Sequence, residues 1–178
     1  MIKCDYLIIG AGIIGVNISR ELSVRYPNKI IVVIDKEKEE GLHASGRNSG
    51  VLHAGFYYTN NSLKAKFTRD GNADMTSYCE ENNLPINKCG KLVVAQSNKE
   101  LQVLDELLHR AKTNGVSLEK ITEEEARKIE PRVKTIKYAL FSPTTSTVDP
   151  KLIINSMVKN AIKNGVIFKF NTSYLGNE

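Results

Sequence analysis

The sequence predicts an α/β fold centred on a parallel sheet, and three observations carry that reading. Residues 6–9 (YLII) and 30–34 (IIVVI) are unbroken apolar runs of strand length. Between them, residues 12–26 place apolar side chains at Ile14, Ile18 and Leu22 among polar ones, which is helical spacing. Strands apolar on both faces and joined through a helix belong in a parallel sheet, because the crossover that a parallel pair requires covers one of its faces.

Each later element has its own local cause. Residues 41–61 are rich in Gly, Ser and Asn with little periodicity, so they form a long loop containing at most a helical turn; long loops inside compact domains tend to be functional. Leu63, Phe67, Ala73 and Tyr78 space a helix over 62–83, interrupted at Gly71. Residues 91–95 form a strand. Ser97 with Glu100 makes a capping box before the stripe Leu101, Leu104, Leu107 and Leu108, and Gly115 stops that helix. Thr122 with Glu125 repeats the device for a short helix ending at Pro131. Residues 138–141 form a strand. Asp149 caps and Pro150 opens a helix over 151–163, Gly165 ends it, and 166–170 is the last strand.

Composition narrows the function. The 178 residues are 41% hydrophobic and 25% charged, which excludes a disordered or collagen-like chain. The formal charge of +5 comes from lysines dispersed among nearly as many acids, so no basic stripe exists for nucleic acid, and anionic small molecules are the favoured partners. Cys4, Cys79 and Cys89 are odd in number and lack CxxC spacing; they predict no disulfide framework and no metal site, only reduced, buried thiols. No stretch approaches the ~20 apolar residues of a membrane span, and the N-terminus lacks a secretory cleavage site, so the expected location is cytoplasmic.

The chemistry begins at GAGIIG, directly after the first strand and at the mouth of the first helix. Gly10 permits a tight turn, Gly12 lets the backbone approach a pyrophosphate, and Gly15 allows close contact between helix and strand. The amides and positive end of the helix then attract the phosphates. Asp35, twenty residues after Gly15 at the end of the second strand, is placed to accept hydrogen bonds from ribose hydroxyls and would repel a ribose phosphate. These residues leave NAD and FAD both open. Residues 43–58, HASGRNSGVLHAGFYY, differ from a simple NAD domain, where another crossover helix usually follows. Ser45, Arg47, Asn48 and Ser49 can donate several hydrogen bonds there, which suits a ligand extended by a ribityl chain and a flavin ring.

With that segment the sequence resembles the FAD-dependent oxidoreductases of the D-amino-acid oxidase superfamily, and within it the branch that oxidises L-2-hydroxyglutarate. The resemblance rests on GAGIIG, SGRNSGVLHAGFYY at 45–58, SLKAKF at 62–67 with CGKLVVA at 89–95, and TTSTVDP at 144–150. It implies a Rossmann-like FAD-binding domain over 1–85 and 146–178, with an inserted α+β substrate lobe of which 86–145 is part. The expected FAD contacts are Gly10, Gly12, Ile14, Gly15, Asp35, Lys36, Ser45, Arg47, Asn48 and Ser49.

The implied reaction passes a hydride from C2 of a small 2-hydroxy acid to flavin N5, turning L-2-hydroxyglutarate into 2-oxoglutarate. The electrons then go to a quinone or to oxygen. His53 is the expected base or substrate-orienting group, since an imidazole with a pKa near ~6.5 is available neutral around pH 7; the competing reading has it donate to the flavin or to a backbone carbonyl. Tyr57 and Lys64 are the expected substrate contacts, through a hydroxyl and a cation. A glycerol 3-phosphate dehydrogenase, an amino-acid oxidase relative, or a non-catalytic nucleotide-binding remnant are the alternatives. Complete members of the family are longer, so the chain is expected to be an N-terminal part, with an incomplete sheet and no activity by itself, served by a complementary C-terminal chain. A quinone acceptor would draw the protein to the inner face of a membrane as a peripheral partner.

Overall fold

The computed structural model describes residues 3–176. In chain order the elements are β1 (Tyr6–Ile9), α1 (Ile13–Arg25), β2 (Ile31–Ile34), β3 (Val51–Leu52), α2 (Leu63–Glu81), β4 (Ile86–Asn87), β5 (Lys91–Val93), α3 (Asn98–Asn114), β6 (Glu119–Thr122), α4 (Glu123–Ile129), β7 (Tyr138–Ser142), β8 (Ser146–Val148), α5 (Pro150–Lys163) and β9 (Ile167–Lys169). A 3₁₀ turn at Ala44–Gly46 interrupts the loop between β2 and β3. The chain forms two compact units, one taking the chain up to Gly50 and again from Asp149, the other Val51–Val148. The segment 51–85, expected with the nucleotide-binding domain, therefore packs in the second unit.

The first unit holds a parallel sheet in the order β1-β2-β9, with Tyr6 opposite Ile31 and Val32 opposite Ile167. All four residues of β2 are buried, as an apolar central strand requires. Ala11, Ile31, Val33, Ala161 and Val166 form the core on the helix side, with Tyr6, Ile8 and Leu22 against it. The helical period of α1 is the expected one, but its phase is not. Val16, Ser19 and Ser23 are buried, while Ile14 and Ile18 are 71% and 47% exposed. Small side chains let the helix approach its neighbours closely, and each serine hydroxyl donates to a carbonyl three residues back, at 2.7 Å, so no buried hydroxyl is left unpaired. Asp149 caps α5 by accepting from the Lys151 and Leu152 amides at 2.8 and 3.2 Å.

In the second unit both sheets are antiparallel, β3-β8-β4 and β5-β7-β6. The leucine stripe of α3 is buried as expected: Leu101, Leu104, Leu107 and Ala111 pack with Ala54, Phe56, Ala95 and Leu140. Each such leucine contributes about 2 kcal/mol through burial. Ser97 accepts from the Glu100 amide, but the Glu100 carboxylate takes the Gln96 amide at 2.7 Å, so only half of the expected box closes there. At Thr122 and Glu125 both halves are present.

Four strands escaped the sequence reading: β3 and β4 are two residues long, and β6 (EKIT) and β8 (STV) carry no apolar run to mark them. The cysteines require a correction too. All three are free, but only Cys79 is buried; Cys4 and Cys89 are exposed. Among the described residues no helix is long and apolar enough to cross a membrane.

Candidate functional site

In the first unit the glycine turn is built almost wholly from main chain. The Gly10 amide donates to Ile34 O at 2.8 Å and Gly10 sits at φ +105, a conformation that side chains oppose. A Cβ on Gly15 would lie 2.0 Å from Gly10 O, so no larger residue fits. Gly12 is the cap position of α1, and without a side chain it provides no cap of its own; Ser45 Oγ instead accepts the Ile13 amide at 3.0 Å. Asp35 closes the turn from the other side. Its Oδ2 accepts the Ala11 amide at 2.7 Å and its Oδ1 the Glu37 amide at 2.9 Å. Each oxygen keeps a second lone pair, so acceptance from a ligand hydroxyl is still available.

Beyond the carboxyl ends of β1 and β2 lies a cavity of about 520 Å³ lined by Ile9, Gly10, Ile34, Asp35, Lys36, His43 and residues 172–174. Open parallel sheets bind ligands in that position. Its walls are tied together: the Thr172 amide donates to Asp35 O at 2.8 Å, and His43 Nε2 lies 2.9 Å from Glu37 Oε1. Gly10, Gly12, Gly15, Asp35 and Ser45 thus come together as the sequence predicts. Lys36 joins them at the cavity wall, and Ile14 projects outward from the first turn of α1.

The following loop is more self-contained than expected. Asn48 Nδ2 donates to Ala44 O and Ser45 O at 3.1 and 2.9 Å, while its Oδ1 accepts the Gly50 amide at 2.9 Å. The Asn48 side chain thus also holds its own loop. Arg47 and Ser49 are exposed. Sequence reasoning missed Gly41 and Gly46, although the pair fixes the 3₁₀ turn: a Cβ on Gly46 would lie 2.3 Å from Gly41 O, and Gly41 has φ +66.

In the second unit, His53 follows β3 and is exposed. Partial burial, and then the positive charge of Lys91, hold its imidazole pKa below the ordinary 6.5, which favours the neutral form a base needs. The Tyr57 ring packs against Phe56 with centroids 4.3 Å apart, and Lys91 Nζ lies 4.6 Å from its centroid. Lys64 Nζ lies over the neighbouring Tyr58, 4.6 Å from that ring's centroid.

The end of α3 holds the segment in place. Asn114 Oδ1 accepts the Asn61 amide at 3.1 Å, its Nδ2 donates to Tyr58 O at 3.1 Å and Gly55 O at 3.4 Å, and Arg110 Nη1 donates to Tyr57 O at 3.0 Å. Neither Lys91 nor Asn114 was selected from sequence. The first sits inside the CGKLVVA stretch, whose specificity was the available signal.

A parallel βαβ unit with a glycine turn, an acid closing the second strand and a cavity at the strand ends defines a dinucleotide-binding class of protein. The chain belongs to the FAD dependent oxidoreductase (DAO) family, whose match extends over residues 5–177. It is 46% identical over 147 residues to the mitochondrial L-2-hydroxyglutarate dehydrogenase of Nematostella vectensis, covering 82% of this chain and 32% of the relative. It is 41% identical over 173 residues to that of Caenorhabditis briggsae, covering 97% and 39%. Among solved structures it is similar to L-alpha-glycerophosphate oxidase from Mycoplasma pneumoniae with FAD bound, at TM-score 0.89 and 28% identity, covering 98% of this chain and 46% of that one. The chain spans about a third of the length of the curated relatives it matches.

Proposed function

We propose that this chain is the flavin-holding part of an enzyme that oxidises L-2-hydroxyglutarate to 2-oxoglutarate. The observation that carries the reading is the 46% and 41% identity to L-2-hydroxyglutarate dehydrogenases, against 28% to the glycerophosphate oxidase.

The residues present fit FAD. Gly10 and Gly12 leave the main chain open to a pyrophosphate at the start of α1, where the helix dipole favours anions. Asp35 accepts from the ribose, Ile14, Lys36 and Ser45 border the dinucleotide, and Arg47, Asn48 and Ser49 follow it along the loop. When bound, FAD supplies the acceptor for the hydride from C2 of the substrate. His53 takes the hydroxyl proton at its free imidazole nitrogen, and Tyr57 and Lys64 lie on the substrate side. Electrons leave to a quinone or to oxygen; in the first case the cytoplasmic protein works at the inner face of a membrane.

The β1 edge suits pairing with a further strand of the whole enzyme. Leu7 and Ile9 are 44% and 58% exposed, and β1 is hydrogen-bonded to a neighbour on one side only among the described residues. Exposed edges of this kind need cover. The reading is tested by combining the chain with the segments its relatives carry beyond this region, loading FAD, and adding donors. Bleaching of bound flavin by L-2-hydroxyglutarate, in preference to glycerol 3-phosphate or an amino acid, is the expected result. A flavin-loaded pair bleached by another donor and not by this one refutes it.

A further inference from the structure

Three lysines of the second unit lie over tyrosine rings, and only one is both half-buried and without a counter-charge. Lys120 Nζ lies 3.7 Å from the Tyr138 centroid and has Asp105 Oδ1 at 3.8 Å. Lys64, over Tyr58, is exposed and keeps its water. Lys91, over Tyr57, is partly buried, and no carboxylate among the described residues lies within ion-pair distance of it. An ammonium lying over a ring, with no carboxylate at hand, is open to an anionic ligand. The ring contributes a modest cation–π attraction. His53 contributes nothing electrostatically favourable, since Lys91 pushes its imidazole toward the neutral form.

Lys91 lies on the Tyr57 ring, and its charge reaches His53, so the three offer a cation, a phenol and an imidazole. A carboxylate with a hydroxyl on the adjoining carbon presents the matching groups, namely an anion for the cation and a transferable proton for the imidazole. We propose that Lys91 seats a carboxylate of the 2-hydroxy acid beside His53. This assignment rests on the substrate class proposed above, and it adds the specificity-determining residue that the class requires. An acid is thereby selected over a neutral alcohol, because only the acid removes the unpaired charge at β5.

The test uses the full 178-residue chain. Its three histidines, His43, His53 and His109, give three imidazole NMR signals, assigned by replacing each in turn. L-2-hydroxyglutarate at millimolar concentration, at constant pH, should shift the His53 signal and leave the other two in place, whereas neutral 1,5-pentanediol should shift none. Lys91→Gln should weaken the titration about tenfold, the loss of one charge-assisted contact, and Lys91→Arg should restore most of it. The unmoved His43 and His109 signals show that each variant remains folded.

A Lys91→Gln chain that titrates like its parent overturns the proposal, as does an equal shift by the diol or no shift at all in the parent. Failure of the broader reading looks different. There the acid still moves His53 through Lys91, yet the flavin of the combined enzyme is bleached by some other donor.

Discussion

At the glycine turn the backbone closes on itself. Gly10 reaches Ile34, Ala11 reaches the Asp35 carboxylate, and Gly15 leaves no room for a methyl group. From Gly55 to Asn61, by contrast, the backbone is held from outside, by the Asn114 amide and the Arg110 guanidinium of a helix more than fifty residues away in sequence. The first arrangement permits almost no substitution at its glycines but needs few partners. The second, apart from Gly55 at φ +103, concentrates its dependence in two side chains elsewhere.

The largest effect should come from Gly15→Ala. Its methyl would meet a carbonyl oxygen at 2.0 Å, and backbone cannot rotate away as a side chain can. A loss of about 3 kcal/mol in urea unfolding is expected, with FAD retention lost as well. Gly71→Ala is the counter-case: a methyl there meets nothing within 4 Å inside α2, so the same measurement should show a gain of about 0.5–1 kcal/mol. Equal effects at the two glycines would abolish the contrast between a turn that needs glycine and a helix that merely contains one.

Asn114→Ala comes next. It leaves the Asn61 amide and two carbonyls without their partner in a buried setting, which costs about 2 kcal/mol. The expected signature is local, with faster amide exchange over residues 55–61 and unchanged protection in β1 and β2. Slower effects spread through the parallel sheet would show that the segment is not the side-chain-held element described here.

The same contrast decides what the sequence made legible. Gly10, Gly12, Gly15 and Asp35 were legible because backbone geometry demands those residue types at fixed spacing, and the strands and helices around them follow from apolar period and caps. The phase of α1 was not, because Ser19 and Ser23 read as polar until their hydroxyls are seen bonded within the helix. Asn114 and Lys91 were hidden for a different reason: each acts through contacts distant in sequence, and neither residue type signals a role by itself. Asn48 shows why a loop donor is ambiguous in sequence, since a donor-rich side chain in a polar loop is as useful to the loop as to a ligand.

Ser45→Ala sharpens the first half of the comparison. Ser45 caps the opening of α1 by accepting the Ile13 amide, beside the Asp35 carboxylate on the Ala11 amide, so its loss should cost about 1 kcal/mol, as for other helix caps. Calorimetry on the variant measures this. A loss as large as that of Gly15→Ala would mean that the turn depends on its side-chain caps as much as on its glycines.

The smallest effect, and the finest probe of the second half, is the titration of His53. Its folded pKa is held below 6.5, so between the two values the unfolded chain binds more protons than the folded one. The resulting contribution to stability is therefore present above about pH 6.5 and is lost as pH falls through the folded value. NMR titration should give a His53 midpoint below 6.5. Replacing Lys91 with Gln should move that midpoint up only part of the way, because burial is the larger cause and remains when the charge is removed. A full return to 6.5 would mean that the charge at β5 outweighs burial. An unmoved midpoint would mean that Lys91 does not reach the imidazole, and the histidine segment would then be held and tuned by packing alone.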